Sequence, residues 1–320
     1  MNIFLKRCYY PQRWTKLVEA CLEKGKGPIL GKLRYITLIE GDLQIGMRIA
    51  LNSDEEELIE KDDRFSKANF GSRKNFAITT ALLQKRLILD NSLISMKHNI
   101  YTMTNLQSCY DQQLPNIGSI VEESVSRNRN TMILYTKIMP KFEHHISTAY
   151  RVSEGHYGRD FDLTGTGQGN KLSGDMCRDI SCLIIKQLEK KNLGIEFLSK
   201  TTQVNTLVAA VSFVDDNDLA VDGDNLKVRI QKIVDLHDTL HKVTGGFSQE
   251  EKSKFYSWKW VWQQGRKRMK VMKIVIKIND KPIKQLGPKD EEKTLGVNIG
   301  PSLKWDEQFT MMIEKMKLAM

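Results

Sequence analysis

The chain has 320 residues, 40% of them hydrophobic and 28% charged, with a formal net charge of +10 and a pI near 9.2. That length supports a sizeable core in one large domain or two modest ones, and the composition excludes a disordered or fibrous chain. No apolar run approaches the roughly 18 residues that a transmembrane helix needs, so no membrane partner is expected. The excess of cations points to a polyanionic partner, nucleic acid before membrane. Cys8, Cys21, Cys109, Cys177 and Cys182 form no CxxC pair, and their odd number argues against a disulfide framework. The start, MNIFLKRCYYPQRW, lacks the long apolar segment of a secretory leader. Reduced thiols in an intracellular setting, nucleus or cytoplasm, are the expectation.

In chain order, Trp14, Leu17, Val18, Cys21 and Leu22 have helical spacing, which predicts a helix from Trp14 to Lys24, stopped by the glycines of KGKGP. Lys32 to Leu43 reads as a strand with Lys32 and Arg34 on its polar face. Ile45 to Leu51 and Glu55 to Ile59 read as helical. FGSRKN, from Phe70 to Asn75, is a basic loop that leads into a helix over about Ala77 to Leu89. Asn99 to Cys109 is a predicted strand, and Pro115 to Arg127 and Thr131 to Ile146 are predicted helices. TGTGQGN, from Thr164 to Asn170, is a glycine-rich loop before a helix from Ser173 to Lys191. A helix over Asp224 to Val243 ends at Gly245-Gly246. From Lys254 the chain is mostly strand-like, with WKWVW and KVMKIVIKI alternating, and Asp306 to Met320 begins another helix. Strands separated by helices and hairpins favour an α+β fold over a doubly wound sheet.

One stretch, VNTLVAAVSFVDDNDLAVD from Val204 to Asp222, concentrates the chemistry. Two apolar runs flank adjacent carboxylates, Asp215 and Asp216, as in a β-hairpin with an acidic tip. Such a tip is either a solvated turn, which favours Asp and Asn, or a site at which carboxylates hold Mg²⁺ and organise phosphates. TGTGQGN lacks the preceding strand and the ribose-binding acid of a dinucleotide site. His237 and His241 lie four apart on one helix with no third ligand in view and read as surface or core residues. His144, His145, Cys177 and Cys182 read as structural. Trp258, Trp260 and Trp262 alternate, which favours a buried strand face over base stacking.

Taken together and in order, these segments resemble the motifs of a reverse transcriptase, closer to the non-long-terminal-repeat retrotransposon and group II intron branch than to the retroviral one. GKLRYITLIEGD and FGSRKNFAI resemble the two fingers motifs, YTMTNLQSCYD motif A, GTGQGNKLSG motif B, SFVDDND motif C, GGFSQEEKSKFY motif D and KTLGVNIGP motif E, the primer grip. The resemblance implies a right-hand polymerase: a ferredoxin-like antiparallel palm sheet with packed helices, mixed fingers, and a thumb of which little is present. Its expected divisions are a tail over 1–13, a reverse-transcriptase-like domain over 14–305, and the start of a thumb-like helix over 306–320. Within that domain, 14–98 would be fingers-like, 99–128 palm-like, 129–163 a fingers-like insertion, and 164–305 palm-like with the primer-grip hairpin. No endonuclease or RNase H segment is expected.

The same resemblance implies RNA-directed DNA polymerase activity, with an RNA template, a DNA primer and deoxynucleoside triphosphates as partners and two Mg²⁺ ions, or Mn²⁺, as cofactors. The oligomeric state is left open. Asp215, Asp216, the motif A position Asn105 and the Leu106 backbone would hold metal. Lys32, Arg34, Arg73, Tyr110, Gln168 and Gly169 would bind nucleotide, with Tyr110 gating against the ribose 2′-hydroxyl; for Lys32, Arg34 and Arg73 the alternative is solvated surface charge. Lys252, with Lys254 or an ordinary surface lysine as alternatives, would serve the leaving pyrophosphate, and Leu295 and Gly296 the primer grip. One departure matters. The family begins motif A with aspartate, and this chain has Asn105. An amide is neutral and cannot bridge two cations as a carboxylate does. Gln112 and Gly174 depart more mildly, from Arg and Pro. A catalytically silent nucleic-acid-binding domain is therefore the competing expectation, and an unstable fossil copy a third.

Overall fold

The computed structural model describes residues 7, 9–23, 33–50, 59–107, 109–125, 133, 136–148, 165–169, 171–199, 201–302 and 305–319. In chain order its elements are β1 (Lys16–Glu23), β2 (Leu33–Leu38), α1 (Gly41–Ala50), α2 (Ile78–Ile94), β3 (Asn99–Asn105), α3 (Cys109–Gln112), α4 (Pro115–Val125), β4 (Glu143–Ser147), α5 (Lys171–Lys190), β5 (Ile195–Leu198), β6 (Asn205–Val208), β7 (Ala210–Phe213), β8 (Asp216–Asp222), α6 (Leu226–Val243), β9 (Lys254–Gln263), β10 (Arg266–Val271), β11 (Lys277–Ile278), β12 (Lys281–Pro282), β13 (Lys284–Leu286), β14 (Glu292–Thr294), β15 (Val297–Ile299) and α7 (Asp306–Ala319). They form two compact units interleaved in sequence. One comprises Met1–Ser66, Ser108–Cys182 and Val243–Gly246, the other Lys67–Gln107, Leu183–Lys242 and Phe247–Met320.

The first unit is built on a three-stranded sheet in the order β2-β1-β4, with β1 antiparallel to β2 and parallel to β4. Two expectations fail here. Residues 16–23 are the central strand of this sheet, not a helix, preceded by a 3₁₀ turn over Gln12–Thr15. The helix expected over Thr131 to Ile146 is present at Ile133 and at 136–138 among the described residues, but it gives way to a 3₁₀ turn over Met139–Lys141 and then to β4. Pro140 sits in that turn; it lacks an N–H and biases the residue before it away from helix, and this much was readable in the sequence. Trp14 and Leu17 are buried with Leu43, Met47, Ile138, Met139, Phe142 and Met176. The strand predicted to reach Leu43 stops at Leu38, because α1 starts at Gly41 and brings Leu43 and Met47 into that core.

The second unit centres on a sheet in the order β10-β9-β3-β8-β7, with β13 beside the first residues of β9. Every pairing along the main path is antiparallel. β3 lies in the middle and is buried along nearly its whole length, as NIYTMTN reads. Tyr101, Met103, Val211, Ala220, Tyr256 and Trp258 form one core with Ala81, Ile88 and Leu89 of α2. The strand, the hairpin and the helices predicted over 77–89, 173–191 and 224–243 are all present, with ends shifted by a few residues. The tryptophan stripe is only partly buried: Trp258 is enclosed, Trp260 is half-buried, and Trp262 is 73% exposed. The stripe runs past the end of β3, whose pairing with β9 stops at Trp258. The four described cysteines form no disulfide. No described helix is long and apolar enough to cross a membrane.

His237 and His241 are core residues of α6, edge-to-face with ring centroids 4.4 Å apart. Burial pushes His237 down to about 4 against the pull of Asp238, and burial together with His237 pushes His241 well below its ordinary value. Unfolded histidines titrate near pH 6.5, so between roughly pH 6.5 and 4 the unfolded chain binds more protons. The stability held by the neutral pair is complete above that window and is lost as pH falls through it, by up to about 1.4 kcal/mol per unit per histidine. Glu122 acts with the opposite sign, because burial beside Asp179 raises its carboxyl well above its ordinary value. The comparison of wild type with His237→Phe removes that contribution. The urea midpoint of wild type is expected to fall more between about pH 7.5 and 5 than that of the variant. Equal falls would refute the assignment.

Candidate active site

β7 and β8 are joined by a two-residue turn, Val214-Asp215, across the Phe213↔Asp216 pair. Val214 has φ +60, a left-handed conformation that a β-branched residue adopts only when its surroundings hold it there, at a cost on the order of 1–3 kcal/mol. Gly71, in the FGSRKN loop, supplies part of that hold. A Cβ at Gly71 would lie 2.7 Å from the Val214 nitrogen, so only glycine allows this loop to close on the turn.

Strand register then sets the chemistry. Asn105, the last residue of β3, is directly opposite Asp216. Its Nδ2 donates to Asp216 Oδ1 at 3.3 Å. The Leu106 N–H donates to the Asp215 carbonyl at 2.9 Å, and the Asn105 carbonyl accepts from Gln249 N–H at 2.8 Å. Asn105 and Asp216 line a cleft of about 280 Å³ together with Thr104, Asp218, Glu251, Lys252, Lys254, Glu292, Lys293 and Thr294, among others; Asp215 lies outside that lining. Partial withdrawal from water and the charge of Asp216 raise the Asp215 carboxyl above its ordinary value, although its outer edge is exposed; Asn105 and Lys252 pull it back down. Lys254 is paired with Glu292 at 2.6 Å, whereas no described carboxylate pairs with Lys252.

Beneath the cleft lies a buried network that the sequence reading missed. Lys85 of α2, with 0% of its side chain exposed, pairs with Asp218 at 2.9 Å and donates to Thr294 Oγ1 at 2.7 Å. The Thr294 hydroxyl reaches Asp216 Oδ2 at 3.5 Å, and Tyr101 donates its hydroxyl to Asp218. Burial raises the Asp218 carboxyl, and Lys85 and Tyr101 oppose that rise. A signal was present in the sequence. Lys85 shares the helical face of Ala81, Ile88, Leu89 and Ser92, where a lone cation calls for a buried anion, and Asp218 follows Asp216 at strand spacing.

The other expected site residues divide between the units. In the second unit, Arg73 is buried in its own loop, donating to the Asn69 carbonyl at 2.6 Å with its guanidinium 3.9 Å from the Phe76 ring centre, and it does not line the cleft. Leu295 and Gly296, with φ +50 and +85, form the two-residue turn of the β14–β15 hairpin, next to Thr294. In the first unit, Gln168 accepts from the Thr37 N–H at 2.7 Å and Gly169 from Gln44 at 3.3 Å, which seats the glycine-rich loop on β2. Gly167 is required there: it has φ +76, and a Cβ would lie 2.4 Å from Thr37 Oγ1. Tyr110, half-buried in α3, accepts from the Thr166 N–H at 2.8 Å, and Arg34 is exposed on β2. Lys32 lies outside the described residues.

No family model and no curated protein matches the chain. Solved structures do. Telomerase from Candida albicans, in complex with a TWJ fragment of telomeric RNA, superposes with a TM-score of 0.57 at 10% identity over 93% of this chain and 47% of that one. Apo telomerase from Candida tropicalis truncated from its C-terminal domain gives 0.53 at 14% identity over 93% and 57%. The Candida tropicalis enzyme with a TWJ fragment of telomeric RNA gives 0.53 at 14% over 78% and 42%. The fold is reverse-transcriptase-like. The chain spans about half the length of these telomerases. At such identities the likeness is one of fold, a polymerase fold of mixed helices and antiparallel sheets.

Two carboxylates at the end of a buried strand pair suit a hard divalent cation such as Mg²⁺. The residue beside them is an amide that donates to Asp216, and no group of three or more His, Cys, Asp or Glu among the described residues is arranged to hold a metal. With an amide where a third carboxylate would stand, the set lacks the group that could bridge two cations.

Proposed function

We propose that this chain is the polymerase portion of a reverse transcriptase of the non-long-terminal-repeat or group II intron-like branch, which binds a primer on a nucleic-acid template and has its catalytic step weakened at Asn105. The observation that carries this reading is the register that sets Asn105 opposite Asp216, the neighbour of Asp215, with Asn105 and Asp216 lining one cleft of a reverse-transcriptase-like fold. In nucleotidyl transfer, divalent ions activate the primer 3′ oxygen and steady the departing pyrophosphate. Here Asp215 and Asp216 would hold the cation, with the Leu106 backbone beside them. Lys252 would place positive charge, or a proton, near the leaving group. Tyr110, Gln168, Gly169 and Arg34 would serve the nucleotide and template, and Leu295 and Gly296 the primer.

Asn105 favours a second reading, a nucleic-acid-binding domain with no turnover. Primer extension with Mg²⁺ or Mn²⁺, run beside a primer–template binding assay, separates the two. The polymerase reading expects slow extension that Asp215→Ala abolishes, with binding that weakens steeply with salt. Binding without extension in either metal establishes the silent domain, and loss of both refutes the nucleic-acid reading.

A further inference from the structure

Between Glu251 and Asp280 the chain has no acidic residue and nine cations, from Lys252 to Lys277, in a protein whose whole net charge is +10. Part of this segment leaves the sheet. β9 pairs with β3 only as far as Trp258, whereas β9 and β10 continue together to a two-residue turn at Gln264-Gly265. The ribbon beyond Trp258 is two-faced, because residues paired across antiparallel strands share a face. One face carries Lys259↔Lys270, Val261↔Arg268 and Gln263↔Arg266. Those four cations are exposed, and none forms an ion pair with a described carboxylate. The other face carries Trp260↔Met269 and, at the tip, Trp262↔Lys267, with Trp262 73% exposed and the Lys267 ammonium 5.9 Å from its ring centre.

We propose that this ribbon is a contact site for single-stranded nucleic acid outside the cleft, with phosphates along Lys259, Arg266, Arg268 and Lys270 and a base stacked on Trp262. Cations on an edge strand also deter pairing between sheets. That role is met by a polar tip and leaves unexplained an indole held in water. A groove or ridge of cations bearing an aromatic platform is the general device for binding a single strand without reading its sequence. β9 runs from Lys254 at the cleft to Gln263 at the tip, roughly 30 Å at strand rise, so this contact is distinct from the candidate active site and does not depend on its chemistry.

The test uses the full chain and a short fluorescein-labelled single-stranded RNA of mixed sequence, with binding read by anisotropy between about 50 and 200 mM salt. Arg266→Glu/Arg268→Glu/Lys270→Glu is expected to weaken binding tenfold or more and to lower the salt slope by about 2, near 0.7 per lost phosphate contact. Trp262→Ala is expected to weaken binding at least about fivefold and Trp262→Phe to recover most of it, since any aromatic face stacks. Asp215→Ala should leave the contact intact, so failure of the cleft reading does not touch it. Single-site Arg268→Gln serves if the triple variant misfolds by circular dichroism. Unchanged affinity and slope in a folded variant would overturn the proposal. Loss of sedimentation with phosphatidylserine vesicles while RNA binding persists would overturn it in favour of a membrane surface.

Discussion

Lys85→Met is expected to cost about 3–5 kcal/mol of stability, the range found when one partner of a buried ion pair is removed. The ammonium is wholly enclosed and is the cation that holds Asp218, whose carboxyl is itself buried. Met fills the space of the alkyl stem and leaves the anion with only the Tyr101 hydroxyl. A carboxylate in that position must be desolvated without a counter-charge or take up a proton, and either is costly. The double variant Lys85→Met/Asp218→Leu should recover much of the loss, since apolar replacement of a whole buried pair is often neutral. Urea unfolding of the three proteins measures both effects. A single-variant loss below about 1 kcal/mol would mean that the pair is not buried in solution. The network also touches Asp216 through Thr294, so its loss is expected to loosen the one carboxylate that faces both Asn105 and the cleft.

Asn105→Asp is expected to raise primer extension a hundredfold or more, about 2.7 kcal/mol of transition-state stabilisation. Asp has nearly the shape of Asn, so the strand should accept it with little repacking. The change is electrostatic. In the metal-free protein a donor to Asp216 becomes a third negative group beside Asp215, which is already raised by burial and by Asp216, so stability at neutral pH should fall. Bound Mg²⁺ should reverse that fall, because a ligand that binds only the folded state stabilises it by mass action. Extension by both proteins at matched folding and matched Mg²⁺ is the measurement. No rise, in a variant that still binds primer–template, would place the defect elsewhere or break the alignment of this strand with motif A.

Local sequence determined the parts of this fold whose signals are local. The β-branched and aromatic residues of NIYTMTN gave β3, the two apolar runs around VDD gave the β7–β8 hairpin, and the long periodic segments gave α2, α5 and α6. From these followed the expectation that Asn105 would meet Asp215 and Asp216, and the strand register places it there. Tertiary structure alone decided the rest. Trp14 to Leu22 satisfies a helical stripe as well as a strand. Only its pairing with β2 and with β4, more than a hundred residues away, makes it the middle of a sheet, and no window of neighbouring residues contains that information. The partner of Lys85 lies on a strand across the core, so its burial is chosen by helix–sheet packing and not by its own segment. Trp258 and Trp262 belong to one alternating run, yet β3 covers the first and ends before the second. The same pattern therefore buries one ring in the core and leaves the other in water, because exposure is a property of the neighbouring strand's length.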